Sequence, residues 1–315
     1  MYNGIIIINK EAGFTSSDVV ARLRGILHMR RIGHTGTLDP DAVGVLPVCL
    51  GNGTKLVEMI GDGQKEYRAI MRLGIITDTQ DMSGKVLEEA PEDQVMALDK
   101  AQIFGAAAAF TGQIEQIPPM YSAVRINGKR LYELARAGKT IERKARPVTV
   151  YEIEVLSIEL PLVSMRIRCS KGTYIRTLCE DIGRKLGVGG CMQHLTRTLA
   201  GGFTLDQALT LGEVEALSKE GEEAVQAHIC PTESFFADAP VVTIREKSRA
   251  HLLNGNPVLL KETDCDDDMK KRIQDNEAAS PGALVRMRDA DGRFVAVYRY
   301  DPAGDRLMTV KMFLG

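Results

Sequence analysis

Arg31-Ile32-Gly33-His34-Thr35-Gly36-Thr37-Leu38-Asp39-Pro40 is the stretch on which the interpretation of this chain turns. It has neither the 3.6-residue periodicity of a helix nor the alternation of a strand. Gly33 and Gly36 permit backbone conformations that other residues avoid. Pro40 biases Asp39 toward an extended conformation and stops a helix. One carboxylate, Asp39, is therefore expected on a shaped loop, where catalytic groups often sit. An isolated Asp-Pro would read as a turn whose aspartate bonds its own backbone. Here His34, Thr35, Thr37 and Asp39 crowd one glycine-punctuated segment. That density of polar side chains favours a site over a turn.

Upstream, residues 5–8 (four isoleucines) read as a buried strand. Thr15-Ser16-Ser17-Asp18 offers N-cap residues for a helix in which Val19, Val20, Leu23, Ile26 and Leu27 recur at helical spacing. Downstream, residues 67–73 alternate as a strand. Gly74, Asp78, Asp81 and Gly84 mark the loop after it, with both aspartates expected to organise that turn. Residues 100–110 are an alanine-rich helix, Gln116-Ile117-Pro118-Pro119 a non-helical connection, and 130–137 a short helix. Strands at 148–158 and 163–169 precede a Lys171-Gly172 turn, a helix at 177–186 and another starting at Leu211. Strands interleaved with helices, without regular βαβ spacing, predict an α+β core around a mixed sheet. Near Asp238-Ala239-Pro240 the pattern shifts to short alternating strands, with Asp291-Gly292 as a hairpin turn. The expected division is residues 1–237 and a small β-rich unit at 238–315.

A chain of 315 residues is long enough for such a large and small pair. No apolar run approaches the roughly 20 residues that span a bilayer, and no cleavage pattern follows the isoleucines. The six cysteines lack disulfide spacing, so reduced thiols in a cytoplasmic protein are the simple account. Cys191 and His194 form one C-x-x-H pair with no second pair to complete a zinc site. Net charge is −2, so bulk composition does not announce a nucleic-acid binder. Distribution says more. Arg125, Lys129, Arg130, Arg136, Lys139, Arg143, Lys144 and Arg146 are opposed only by Glu133 and Glu142, whereas 262–277 is acidic. Such a stripe suits a local phosphate-binding face.

The opening run continues as Asp41-Ala42-Val43-Gly44-Val45-Leu46-Pro47. The whole resembles the signature of the TruB-type pseudouridine synthases, which act on uridine 55 in the T loop of tRNA. Further motifs carry the resemblance over most of residues 4–204. Gly4 to Ser16, with Asn9-Lys10 before Gly13, is similar to the family's opening motif, although Glu11 stands where proline is usual. Lys65-Glu66-Tyr67-Arg68-Ala69 and Ser170-Lys171-Gly172-Thr173-Tyr174-Ile175-Arg176-Thr177-Leu178 are similar to two active-site segments. Leu195, Arg197 and Thr198 resemble the end of the catalytic domain, with Thr196 in place of one of two adjacent arginines.

The resemblance implies a pseudouridine synthase fold at 1–237. That is a mixed, largely antiparallel sheet with flanking helices. A small barrel-like PUA domain at 238–315 would bind RNA. It implies Asp39, Tyr67 and Arg176 as catalytic residues, and Lys10, His34, Tyr174, Leu195 and Arg197 as substrate-binding ones. The implied partner is the T-stem loop of tRNA, bound by a cytoplasmic monomer with no cofactor, metal or membrane. The chemistry is compatible with these residues. An N-glycosidic bond breaks, uracil turns, and a carbon–carbon bond forms, with no redox change. A carboxylate serves as nucleophile or stabilises positive charge on the sugar. A bidentate arginine favours its charged form. Tyr67 would stack on the base and take a proton, although an unperturbed tyrosine is a poor base near neutral pH. The nucleotide must leave its stack. His34 would brace the vacated space, Tyr174 would close the pocket, Lys10 would cap nearby carbonyls, and 125–146 would form an arm on RNA phosphates.

Two other classes compete. Asp39-Pro40-Asp41-Ala42-Val43 fits the D-x-D-x-[TV] pattern of a phosphotransferase, which requires a buried strand directly before the first aspartate. A tRNA-gripping chaperone without chemistry would make little use of Asp39, Tyr67 and Arg176 together.

Overall fold

A computed structural model describes residues 1–126 and 128–314. Its main feature is a nine-stranded sheet. The path runs Gly4–Lys10, Val43–Leu50, Gly190–Ala200, Lys65–Leu73, Leu162–Cys169, Arg146–Glu159 and Gly112–Gln116. Ile32–His34 adds to Val43–Leu50, and Phe203–Thr204 to Gly190–Ala200. Val43–Leu50 lies parallel to Gly190–Ala200, while the neighbours along the rest of the path are antiparallel. This is the mixed, largely antiparallel α+β sheet expected.

Strand Gly4–Lys10 shows why four isoleucines stand in a row. Ile6 and Ile8 pack with Val19, Leu23 and Val214 of helices Ser16–Ile26 and Leu211–Glu220. Ile5 and Ile7 pack on the opposite side with Val45, Phe236, Val297 and Phe313. Both faces are buried, so the strand has no reason to alternate. Helix Ser16–Ile26 begins at a capping box. Thr15 accepts from the Asp18 amide, and the Asp18 carboxylate accepts from the Thr15 amide at 2.8 Å. Helices Lys100–Ala108 and Ile175–Lys185 cover the other half of the sheet, where Ile103, Leu178 and Ile182 meet Ala69, Met71 and Ile167.

Three strands escape the pattern argument. Ile32–His34 is a short strand, not part of the loop. Val43–Leu50 carries Gly44 and Pro47, which both argue locally against a central strand. Gly190–Ala200 is interrupted by polar residues. The glycine expectation also shifts. Gly33 and Gly36 do not take left-handed backbone angles, whereas Gly44 does, at φ +105°. A β-carbon there would collide with the Arg197 backbone of the adjoining strand. Gly44 is what lets the Asp39 loop turn directly into the sheet.

The C-terminal region forms a five-stranded sheet in the order Val241–Thr243, Leu284–Arg288, Phe294–Asp301, Arg306–Met312, Val258–Leu259. An isolated bridge between Ile244 and Thr263 draws its edges together. Most of the acidic run lies in helix Asp267–Ala279. Its N-cap, Asp266, accepts from the Met269 amide at 2.7 Å, and Ile273 is buried against the sheet. Acids at a helix N-terminus oppose its partial positive charge, which explains their concentration there. No helix among the described residues is long and apolar enough to cross a membrane.

Candidate active site

Asp39 stands between two pinned neighbours. Leu38 is buried, and its amide donates to Ser16 Oγ at 2.9 Å. The Pro40 carbonyl accepts from the Gly13 amide at 3.0 Å and from Lys10 Nζ at 2.9 Å. Lys10 is fully buried and donates also to the carbonyls of Glu11 (3.0 Å) and Phe14 (2.6 Å). Beneath the loop lies Arg197, only 1% exposed. It donates to the carbonyls of Val45 (2.7 Å), Gly36 (3.3 Å) and Thr37 (3.4 Å). Both residues, which the family resemblance put among the substrate-binding ones, spend these protons on backbone carbonyls. An ammonium has three protons, and all three of Lys10's go to backbone carbonyls. Lys10 and Arg197 hold the loop that carries the carboxylate.

Arg176 begins the helix Ile175–Lys185, and its side chain is only 6% exposed. Its Nε lies 3.0 Å from Asp39 Oδ2, and its Nη2 lies 3.4 Å from Asp39 Oδ1, the two-pronged pairing anticipated from the residue types. Nη1 donates to the Thr79 carbonyl at 2.9 Å and to Asp81 Oδ2 at 3.3 Å, and Nη2 donates to the Tyr121 carbonyl at 2.8 Å. The five guanidinium protons meet five acceptors, so the fork cannot swing without breaking several bonds at once. The Asp39 side chain remains 40% exposed, leaving an edge that a ligand can reach. Burial of the rest pushes its carboxyl above the ordinary aspartate range. Arg176 pulls it back, and Asp81 adds to the upward push.

Asp81 was expected only to organise a turn, and it does. Its Oδ1 accepts from Thr79 Oγ1 at 2.7 Å and from the Ser83 amide at 3.0 Å. Its other oxygen joins the site through Arg176. Sequence reasoning missed that second use, because the two residues are 95 positions apart. Asp78 stays within the turn, accepting from the Lys85 amide at 2.8 Å.

Tyr67 lies opposite Arg197 in the sheet and shares a buried cluster with Leu38 and Leu195. Burial pushes its phenol further up, only partly offset by Arg197. Tyr67 therefore presents a ring and a protonated hydroxyl. Tyr174 caps the Arg176 helix and is half-buried. Burial raises its phenol, against Ser122, Arg146 and Arg176. His34 ends its strand half-buried. Burial and the nearby Arg197 charge keep its imidazole below the usual value, hence neutral near pH 7. Cys191 and His194 do not converge. The thiol meets Met82 Sδ at 3.4 Å, and the imidazole meets Thr196 Oγ1 at 3.3 Å. The strand Ile32–His34 ends well before Asp39, and Asp41 is exposed, which removes the premise of the phosphotransferase alternative.

At 125–146 the chain forms a small hairpin, Arg125–Ile126 with Lys129–Arg130, followed by helix Leu131–Arg136. Arg130 and Arg136 flank the Tyr132 ring at 5.8 and 5.5 Å. Among the described residues, none of the eight cations of this stretch pairs with a carboxylate.

This pinned aspartate, gripped by a buried arginine beside a mixed sheet, stands in a pseudouridine synthase fold. A chain of a solved Cbf5-Nop10-Gar1 complex is 28% identical with a TM-score of 0.70, covering 99% of this chain and 85% of its own. A chain of a solved H/ACA RNP bound to a substrate RNA containing 2'-deoxyuridine is 26% identical with a TM-score of 0.69, at 99% and 85% coverage. The C-terminal half-barrel is consistent with a PUA-like domain. Residues 24–175 match the TruB family pseudouridylate synthase N-terminal domain, and 176–237 match the tRNA pseudouridylate synthase B C-terminal domain. The chain belongs to the TruB family of pseudouridylate synthases. A relative from Lachnoclostridium phytofermentans, named tRNA pseudouridine synthase B, is 44% identical over 99% of this chain and 100% of its own. One of the same name from Pseudomonas fluorescens is 42% identical over 94% and 90%.

Proposed function

We propose that this chain isomerises uridine 55 in the T loop of tRNA to pseudouridine. The observation that carries the reading is the Asp39 carboxylate held in the Arg176 fork at 3.0 and 3.4 Å, on a loop pinned on both sides. Asp39, ionised, meets the sugar or ring of an extruded nucleotide and stabilises charge or bonds covalently as the N1–C1′ bond breaks. The uracil turns within the pocket, C5 joins C1′, the C5 proton leaves and N1 takes one up, so no atom is gained or lost overall. Tyr67 packs on the base, Tyr174 closes over it, and His34 braces the vacated loop. Leu195 lines the apolar wall behind Tyr67. The unpaired cations at 125–146 grip RNA phosphates, because such charges gain by releasing the counterions of RNA.

Residues 1–237 act as the catalytic unit and 238–315 as an RNA-binding one, and the chain works as a monomer. The shared core of Ile5, Val45, Phe236 and Val297 supports a fixed relation between the two sheets. The test is pseudouridine mapping on tRNA incubated with purified protein and a chelator. Conversion confined to the T-loop uridine is the expected result. Unmodified tRNA would end the reading, and conversion elsewhere would end its specificity.

A further inference from the structure

Gln116 ends strand Gly112–Gln116 and is 2% exposed, yet the reaction as described makes no use of it. Its amide is engaged at both ends by one residue. Gln116 Oε1 accepts from the Tyr174 amide at 2.7 Å, and Gln116 Nε2 donates to the Tyr174 carbonyl at 3.0 Å. Two bonds from one planar group fix the placement and the tilt of the backbone they hold. Tyr174 is the N-cap of the helix that carries Arg176, and its own side chain does not cap that helix. Its carbonyl also accepts the first helical bond, from the Leu178 amide at 3.1 Å. The clamp thus takes over the orienting role that a Ser or Asp cap plays elsewhere.

The connection after Gln116 reaches the same site again. Five residues on, the Tyr121 carbonyl takes an Arg176 proton at 2.8 Å. Between them, the Pro118 carbonyl accepts from Arg143 Nη1 at 3.0 Å, which ties in the return of the basic arm. Segment 116–121 therefore links the arm to Tyr174 and to Arg176, the partner of Asp39.

We propose that Gln116 is a positioning residue for the isomerisation, its amide setting the Tyr174 ring and the Arg176 fork against Asp39. This rests on the function proposed above and deepens it. Gln116 touches no substrate. It acts through the peptide at residue 174, and its loss lets the start of the helix shift. A misplacement of about 1 Å costs on the order of 100-fold in rate.

The test uses the full chain and a T-loop hairpin RNA. Gln116→Leu keeps similar bulk without either hydrogen bond. Its kcat is expected to fall on the order of 100-fold, with KM within about threefold, because the grip on RNA lies in the arm. Gln116→Glu keeps the acceptor and regains a donor only when protonated. Its kcat relative to wild type should therefore climb as pH is lowered into the range of a buried carboxyl group. A Leu variant with wild-type kcat, or a Glu variant whose ratio to wild type is flat with pH, overturns the proposal. If Gln116→Leu shows no cooperative thermal transition, the Glu ratio decides alone. A wild-type protein that leaves the hairpin uridine unchanged overturns the proposed function itself, and this proposal with it. The wild-type lane thus separates the two failures.

Discussion

The Asp39 loop and the basic arm at 125–146 stand at opposite extremes of internal bonding. Around Asp39, Lys10 gives three hydrogen bonds, Arg197 three and Arg176 five contacts, eight of the eleven to backbone carbonyls and three to carboxylates. In the arm, eight cations stand without a carboxylate among the described residues, four of them on a short hairpin and a six-residue helix and the rest in the segment that leads into strand Arg146–Glu159. The contrast fits the role proposed for each. A catalytic carboxylate works only if its surroundings are set before the ligand comes. Charges that bind a phosphate chain must be free of competing partners.

Substitutions should separate the two regions cleanly. Asp39→Asn or Asp39→Ala should cut turnover by about 10,000-fold or more and leave RNA affinity within a few-fold, measured by pseudouridine mapping beside fluorescence anisotropy. Near wild-type turnover would erase the contrast. Burial holds the Asp39 carboxyl above its ordinary range, so its neutral form suits the folded state, and stability is lost as pH rises through the folded pKa. Asp39→Asn should therefore melt at an equal or slightly higher temperature near neutral pH. Arg176→Lys should lower kcat by about 100-fold, because a point charge cannot replace a fork.

Asp81→Asn should cost roughly tenfold in kcat, and it sharpens the comparison by its pH signature. Asp81 raises the Asp39 carboxyl, so its removal should move the acid limb of the rate profile to lower pH. An unmoved limb would deny the electrostatic link. In the arm, Lys129→Gln with Lys144→Gln should raise KM several-fold with kcat unchanged. It should also reduce the salt dependence of binding by about 0.7–0.9 in slope per lost phosphate contact. A fall in kcat instead would place the arm within the machinery. The smallest effect concerns Lys10, whose amine burial lowers to about 8. Above that pH it keeps two protons for three carbonyls, so kcat should decline on the alkaline side. Lys10→Arg should displace that decline.

Local features carried much of this architecture. The capping box at Thr15, the buried isoleucine strand and the strand at Lys65–Leu73 follow from spacing and side-chain type. Strands Val43–Leu50 and Gly190–Ala200 do not, since each looks locally unsuited and is stabilised by neighbours on both sides. The acidic run at 262–277 shows the converse. Its charge was plain, but helix Asp267–Ala279 depended on one apolar stripe meeting a distant sheet. In the site, Asp39 stood out on its glycine-punctuated loop, and Arg176, Tyr67 and Tyr174 came through the family resemblance. Asp81 and Gln116 did not, because an aspartate in a turn and a glutamine before two prolines have ordinary local explanations.

Alone, the order of residues decided which carboxylate lies on a loop, which family the chain resembles and where cations gather, since these depend on neighbours within a few positions. Only the folded chain decided that Lys10 and Arg197 hold the loop, that Asp81 shares Arg176 with Asp39, and that Gln116 clamps Tyr174. Hydrogen bonds act over about 3 Å, and contacts between residues 30 to 161 positions apart exist only once the sheet has brought them together.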